Sequence, residues 1–248
     1  MYARSLHIFW VCLLTINYSC SEDQLNEGQQ GIGGSSNPNQ MQGGGQILEP
    51  PMLADGCIGP RVEEGLGMLQ AAENDIDCAT CTDAAMPNFV LQDLSPTSCG
   101  YGRYYSLEAF IGQVTFVVLL RSTCGYCHAQ LEKLEQLRFE LMAAGYELNM
   151  VVINEVGTER TVDLLSDRSQ IAILQDMPEV MAWEALSIVD ENSPTGRIGG
   201  DKDDMYIYSA EGKLWQFLDD DDPAHSLNLS TEEGYLYLKT QLIEALSE

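Results

Sequence analysis

The sequence predicts an α/β protein: a small mixed sheet flanked by helices. Three observations point there. Val114–Leu120 is a nearly unbroken apolar run, the mark of a strand buried on both faces. It leads into Cys124-Gly125-Tyr126-Cys127, after which Leu131, Leu134, Leu137 and Leu141 recur at helical spacing up to Gly145. Further apolar runs then alternate with helical segments and end in a hairpin and a closing helix, an order that builds a layered α/β sheet.

Taken in order, the chain divides into four stretches. Residues 1–20 read as an export signal: Arg4 precedes the apolar run Ile8–Ile16, which is too short to span a bilayer as a stable helix. Ile16-Asn17-Tyr18-Ser19-Cys20 resembles a bacterial lipobox, in which Cys20 becomes the lipidated first residue, although Asn17 departs from the usual aliphatic residue. The alternative is plain secretion with cleavage after Ser21. Either route places the mature protein outside the cytoplasm, as an anchored lipoprotein (periplasmic or at the cell surface) or as a secreted protein. Residues 21–49 are rich in Gly, Gln, Asn and Ser and lack the apolar groups that offset ordering entropy, so they read as a flexible linker. Residues 50–85 contain Cys57, Cys78 and Cys81 and a short helical pattern around Val62–Ala72.

Residues 86–248 carry the regular pattern. Pro87–Leu94 alternates as an extended strand, and Ser106 caps one helical turn closed by Gly112. Gln113–Leu120 is the buried strand. On the leucine-striped helix, Glu132, Lys133, Glu135 and Arg138 read as an outer charged face. Leu148–Ile153 is a second buried strand, Thr158–Arg168 a helix, and Ile171–Leu174 a third strand. Pro178–Leu186 reads as a helix opening at its proline. Met205–Tyr208 and Leu214–Leu218 flank the turn Ala210-Glu211-Gly212-Lys213, and Thr231–Leu246 closes the chain as a helix. Trp183 and Trp215 read as core, and Asp219–Asp222 as a solvated turn.

Composition limits the partners. Twelve basic residues against 38 acidic ones give a net charge of −26, a field that repels nucleic acid and anionic lipid headgroups. No nucleic-acid partner is expected, and membrane contact only through the N-terminal anchor. In an exported chain, Cys57, Cys78, Cys81 and Cys99 pair most simply into two structural disulfides, with all three connectivities open. A zinc site built from both C-x-x-C pairs is disfavoured, because the gap from Cys81 to Cys124 exceeds zinc-ribbon spacing.

The chemistry concentrates at Cys124 and Cys127. A strand feeding a C-x-x-C at a helix start presents a reactive thiol, since unpaired backbone N–H groups there favour the thiolate form. Cys127, on the same helical face, can attack a mixed disulfide formed at Cys124. Cys124 is therefore the expected nucleophile and Cys127 the resolving thiol. Arg121 and His128 are expected to add positive charge, Tyr126 to shape substrate contact, and Thr123 and Gly125 to complete the surroundings. With His128 the motif also spells c-type haem attachment. Haem would need a distal ligand and usually a small helical fold, whereas only His7, His128 and His225 exist and buried strands flank the motif. No cofactor and no metal are expected.

From Gln113 onward the chain resembles the thioredoxin-like N-terminal domain of selenoprotein P, with cysteine at Cys124 in place of selenocysteine. The matching runs are Val114–Leu120, Lys133-Leu134-Glu135-Gln136-Leu137-Arg138, Gly145-Tyr146, Val151-Val152-Ile153-Asn154, Trp183, Lys202-Asp203-Asp204, Tyr206-Ile207-Tyr208 and Gly212-Lys213-Leu214. The resemblance implies a thioredoxin-like fold, with Met86–Gly112 as a redoxin-type N-terminal strand extension. It also implies thiol exchange with a thiol or disulfide protein or a small thiol, or reduction of a hydroperoxide. Two departures are visible. The family's cis-proline aligns with Ala172, placing Ala172 opposite the cysteines and leaving room for an alternative, a metal- or partner-binding module without turnover. The buried carboxylate that thioredoxins carry six residues before the first cysteine is Val118 here, so another group must move the resolving thiol's proton.

Overall fold

The run Thr115–Leu120 forms a strand whose every residue is buried, and the sheet is built outward from it. The computed structural model describes residues 57–60, 68–73 and 78–248. The export signal, Cys20 and the linker expected from the sequence lie outside these residues. Elements follow in the order β1 (Val90–Asp93), β2 (Tyr104–Ser106), β3 (Thr115–Leu120), α1 (Gly125–Ala143), β4 (Asn149–Asn154), α2 (Asp163–Ser166) and β5 (Ala172–Gln175). They continue with α3 (Ala182–Ala185), β6 (Ile188–Val189), β7 (Arg197–Ile198), β8 (Met205–Tyr208), β9 (Leu214–Leu218) and α4 (Glu232–Ala245).

Seven strands make one sheet in the order β2-β1-β5-β4-β3-β8-β9, and β6 pairs with β7 apart from it. β3, β4 and β5 run parallel, while β8 and β9 on one side and β1 and β2 on the other are antiparallel. Strand periodicity of two sends alternate side chains to opposite faces. Phe116, Val118 and Leu120 join α1 and α4 on one face; Val117 and Leu119 join Phe89, Leu91, Tyr105 and Leu186 on the other. This double burial explains why β3, β4 and β8 lack polar alternation. The central β-α-β unit with an appended antiparallel hairpin and closing helix is a thioredoxin-like fold, and β1 and β2 are its N-terminal extension.

Local chemistry sets the boundaries. Gly145, at φ 88°, stops α1, and Gly212, at φ 72°, turns β8 into β9. Thr231 caps α4 by accepting Gly234 N–H on its hydroxyl at 3.2 Å. Gln130, buried on α1, donates to Leu227 O and accepts from Leu229 N–H, both at 2.8 Å, which fixes the segment before α4.

Four expectations are corrected. Pro178–Leu186 is helical only over Ala182–Ala185, with Met181 left-handed at φ 55°; the Asp176 carboxylate takes the N–H groups of Met177, Ala182 and Trp183 and wraps the proline segment into a turn. Thr158–Arg168 splits into a 3-10 turn, Glu159–Thr161, and the single turn α2. Of Val62–Ala72, residues 62–67 lie outside the described ones, and Gln70 pairs with Val90 in extended form rather than in a helix. Glu135 and Arg138 are buried, not outward, because the turn before β5 covers them.

The four outer cysteines form Cys57–Cys99 and Cys78–Cys81. Among the described residues no helix is long and apolar enough to cross a membrane.

Candidate functional site

β3 delivers the chain to the motif, and a buried polar network holds it there. Ser122 donates its N–H to Asn154 Oδ1 at 2.9 Å and its hydroxyl to Thr158 O at 2.8 Å. Asn154 Nδ2 donates to Gln175 Oε1 at 2.7 Å, so the C-terminal ends of β3, β4 and β5 are tied together beneath the motif. His128 Nε2 donates to Ser122 O at 2.6 Å, since a carbonyl can only accept. His128 thus clamps the loop.

Cys124 is the N-cap of α1, in extended conformation, and its sulfur accepts Cys127 N–H at 3.4 Å. Both residues are free thiols, Cys124 half-buried and Cys127 fully buried. Burial, then a hydrogen bond to the Cys124 sulfur, push the Cys127 thiol well above its usual range, and the charge of Asp203 adds to this. The arrangement is asymmetric: one sulfur reaches solvent at a helix N-terminus and the other waits beneath it, protonated.

The remaining expected neighbours divide. Thr123 and Gly125 are exposed beside the nucleophile, and nothing lies within 4 Å of where a side chain at Gly125 would begin. Tyr126 is 37% exposed, with Lys202 Nζ 5.2 Å from its ring centroid. Burial and the charges of Asp220 and Asp203 push the Tyr126 phenol up to about 12. Arg121 forms a two-bond ion pair with Glu155, NH2 donating to Oε1 at 2.6 Å; that pairing holds the guanidinium up. Ala172 is not part of the site. It opens β5 opposite Val151 and packs on the face away from Cys127.

The segment that does face the cysteines is Lys202-Asp203-Asp204, just before β8. Asp203 donates its N–H to Leu119 O at 2.8 Å, and Leu119 N–H donates to Asp204 O at 3.1 Å, extending the β3–β8 pairing to the motif's edge. Asp203 is fully buried, sits left-handed at φ 73° and pairs through Oδ2 with Lys202 Nζ; its Oδ1 has no partner among the described residues. Burial lowers the Lys202 ammonium, but the bond and charge of Asp203, and the two cysteines, outweigh it and leave it raised. Asp204 accepts Asp201 N–H at 2.8 Å and Asp220 N–H at 3.2 Å, and burial pushes its carboxyl up to about 7.

Sequence reasoning assigned no role to Ser122, Asn154, Lys202 or Asp203. The last three lie within matched runs, which was the available signal. A groove of about 770 Å3, lined among others by Asp190, Arg197, Asp201, Asp219 and His225, contains neither Cys124 nor Cys127.

Residues 102–219 match the family described as selenoprotein P, N terminal region. Among solved structures, a putative protein disulfide isomerase from Bacteroides thetaiotaomicron is similar, at 15% identity and TM-score 0.45, over 73% of this chain and 96% of that one. A SCO1/SenC family lipoprotein from Bacillus anthracis str. Ames gives 13% and 0.46 over 67% and 96%. A putative thiol:disulfide interchange protein DsbE from Chlorobium tepidum gives 16% and 0.46 over 67% and 99%. No curated protein sequence matches.

Proposed function

We propose that the protein, whose residues 102–219 match the selenoprotein P N-terminal family, is an exported thiol–disulfide oxidoreductase or thiol-dependent peroxidase. Cys124 is its nucleophile and Cys127 its resolving thiol. The observation that carries this is the half-buried Cys124 sulfur at the N-cap of α1 with the Cys127 thiol buried below it.

In disulfide exchange, Cys124 sulfur attacks one sulfur of a substrate disulfide and expels the other as a thiolate. Cys127 then attacks the Cys124 sulfur of the mixed disulfide, releases the second substrate thiolate and leaves Cys124–Cys127 oxidised by two electrons. In the peroxidase arm, Cys124 sulfur attacks the peroxide O–O bond, becomes a sulfenic acid and releases water or an alcohol. Cys127 condenses with it, losing water to give the same disulfide. A thiol protein or small thiol restores the pair.

Export is supported by residues 1–20 and by the disulfides Cys57–Cys99 and Cys78–Cys81, which persist in oxidising compartments. A lipid anchor at Cys20 would show as a lipidated N-terminal cysteine by mass spectrometry, and an unmodified Glu22 start would refute it. The metal- or partner-binding alternative rested on Ala172 facing the cysteines, and that support is gone.

Insulin reduction and peroxide consumption test the reading. Cys124→Ser should abolish turnover, and Cys127→Ser should trap mixed disulfides at Cys124. Turnover unchanged by Cys124→Ser refutes it.

A further inference from the structure

The resolving step needs somewhere to put a proton. Cys127 is fully buried and its thiol is held protonated, so attack on the Cys124 mixed disulfide requires an acceptor inside the protein. The position thioredoxins use is Val118, an apolar residue packed on the same face as Cys127. Directly across the sheet from Val118 stands Met205 of β8, and two residues before Met205 is Asp203. The carboxylate missing from β3 therefore reappears at the lead-in to the neighbouring strand.

Asp203 has what the role requires. Its backbone is bonded to Leu119, at the end of β3, so its place relative to the motif is fixed. It is fully buried, with Oδ2 engaged by Lys202 and Oδ1 without any partner. A buried carboxylate oxygen left unpaired costs stability and calls for an explanation. Its left-handed backbone is a conformation aspartate and asparagine tolerate better than most residues. Lys202 also stacks over Tyr126, between the two cysteines, so the pair lies against the motif. The other polar side chains beside the motif are already engaged: Arg121 with Glu155, and the His128 ring with Ser122 O. Asp220, from the loop after β9, interacts by charge with Asp203 and Lys202.

We propose that Asp203, held by Lys202, is the proton acceptor for Cys127 when that thiol resolves a mixed disulfide at Cys124. The Cys127 S–H proton passes to Asp203 Oδ1, directly or across one water, as the Cys127 sulfur bonds to the Cys124 sulfur. The bond from Cys124 to the substrate sulfur breaks, and the substrate leaves as a thiolate that then takes the proton back from Asp203. On reduction of the pair the proton runs in reverse. This rests on the thiol-exchange reading above and assigns that site its proton carrier.

The test follows the resolving step alone in the full chain. An aromatic disulfide with a coloured leaving thiolate reacts first at Cys124, and a second release reports Cys127 attack. Asp203→Asn keeps the left-handed backbone and the shape but removes the charge and the basicity. The Cys127 thiol should then ionise at lower pH, yet the second phase should slow at least about tenfold, as for loss of a general base. A purely electrostatic or structural neighbour would not move those two readouts in opposite directions. Asp203→Glu should retain most of the rate, and Lys202→Met should slow the step less than Asp203→Asn. The wild-type second phase should be slower in heavy water. A second phase in Asp203→Asn as fast as wild type overturns the proposal, as does a wild-type phase equally fast in both solvents. Neither result touches the insulin assay, so failure here and failure of the thiol-exchange reading are separately visible.

Discussion

Glu135 and Arg138 show how far one buried pair can carry a fold. Arg138 donates from Nε to Glu135 Oε2 at 3.0 Å and from NH2 to Oε1 at 2.7 Å. The same carboxylate accepts Ser169 hydroxyl at 3.1 Å and Gln170 N–H at 3.3 Å, which ties the underside of α1 to the turn that launches β5. The two residues are 8% and 3% exposed. Glu135→Leu removes all four bonds and leaves the guanidinium with the Met142 sulfur, Gln170 Oε1 and the face of the Phe139 ring, none of them an anion. An orphaned buried charge costs about 3–5 kcal/mol. The double variant Glu135→Leu, Arg138→Leu removes the orphan as well. What remains is the unpaired Ser169 and Gln170 donors, so the cost should fall back to about 1–3 kcal/mol. The double variant should therefore be about 2 kcal/mol more stable than Glu135→Leu alone. Urea unfolding followed by tryptophan fluorescence, with m unchanged, measures each corner of the cycle. A Glu135→Leu protein within about 1 kcal/mol of wild type would refute the reasoning, because the pair would then be solvated rather than buried.

Two further expectations concern stability. Cys57–Cys99 closes 42 residues and Cys78–Cys81 only 3. Chain entropy makes the first worth about 4 kcal/mol and the second about 1.5 kcal/mol, so Cys57→Ser, Cys99→Ser should lower the urea midpoint far more than Cys78→Ser, Cys81→Ser; equal losses would contradict this. The second concerns Asp204, whose carboxyl is raised from 3.8 to about 7 in the folded protein. The folded state binds the proton more tightly, so this stabilisation is complete below the unfolded value and is lost as pH rises through about 7, up to about 4 kcal/mol in all. Between about pH 5 and about pH 8 the wild-type midpoint should therefore fall further than that of Asp204→Asn, and parallel curves would show that another group sets the trend.

What could be read from the sequence was what local pattern determines. β3 shows in its apolar run, α1 in its leucine stripe, and the β8–β9 hairpin in a turn whose glycine sits at positive φ. The misses have distant partners. A helical wheel puts Glu135 and Arg138 outside because it cannot know that Ser169 and Gln170 return to cover them. The helix expected from Pro178 is overridden by Asp176, whose carboxylate competes for the same N–H groups. Alignment with the family's cis-proline sets Ala172 opposite the cysteines, but alignment along the chain does not show which strand lies beside β3. β5 lies outboard of β4, parallel to it, whereas the antiparallel neighbour of β3 that meets the motif is β8.

The buried acids separate structure from function. Asp93 accepts Ser95 N–H at 2.9 Å and Tyr105 hydroxyl at 2.6 Å. Asp176 accepts three backbone N–H groups, Asp204 two, and Glu135 an arginine, a serine and a backbone N–H. Each of these holds one segment to another, and each has both oxygens engaged, the condition under which a buried carboxylate is tolerated. Asp203 breaks the pattern. It is as deeply buried as any of them, adopts a backbone conformation unusual outside glycine, and leaves Oδ1 without a partner. Strain and unmet hydrogen bonding concentrate where a protein must change state. Here they fall on the residue beside the one thiol that must lose a proton with no solvent to take it. A carboxylate placed only to secure the lead-in to β8 would need no free oxygen, since the backbone bonds to Leu119 already secure it.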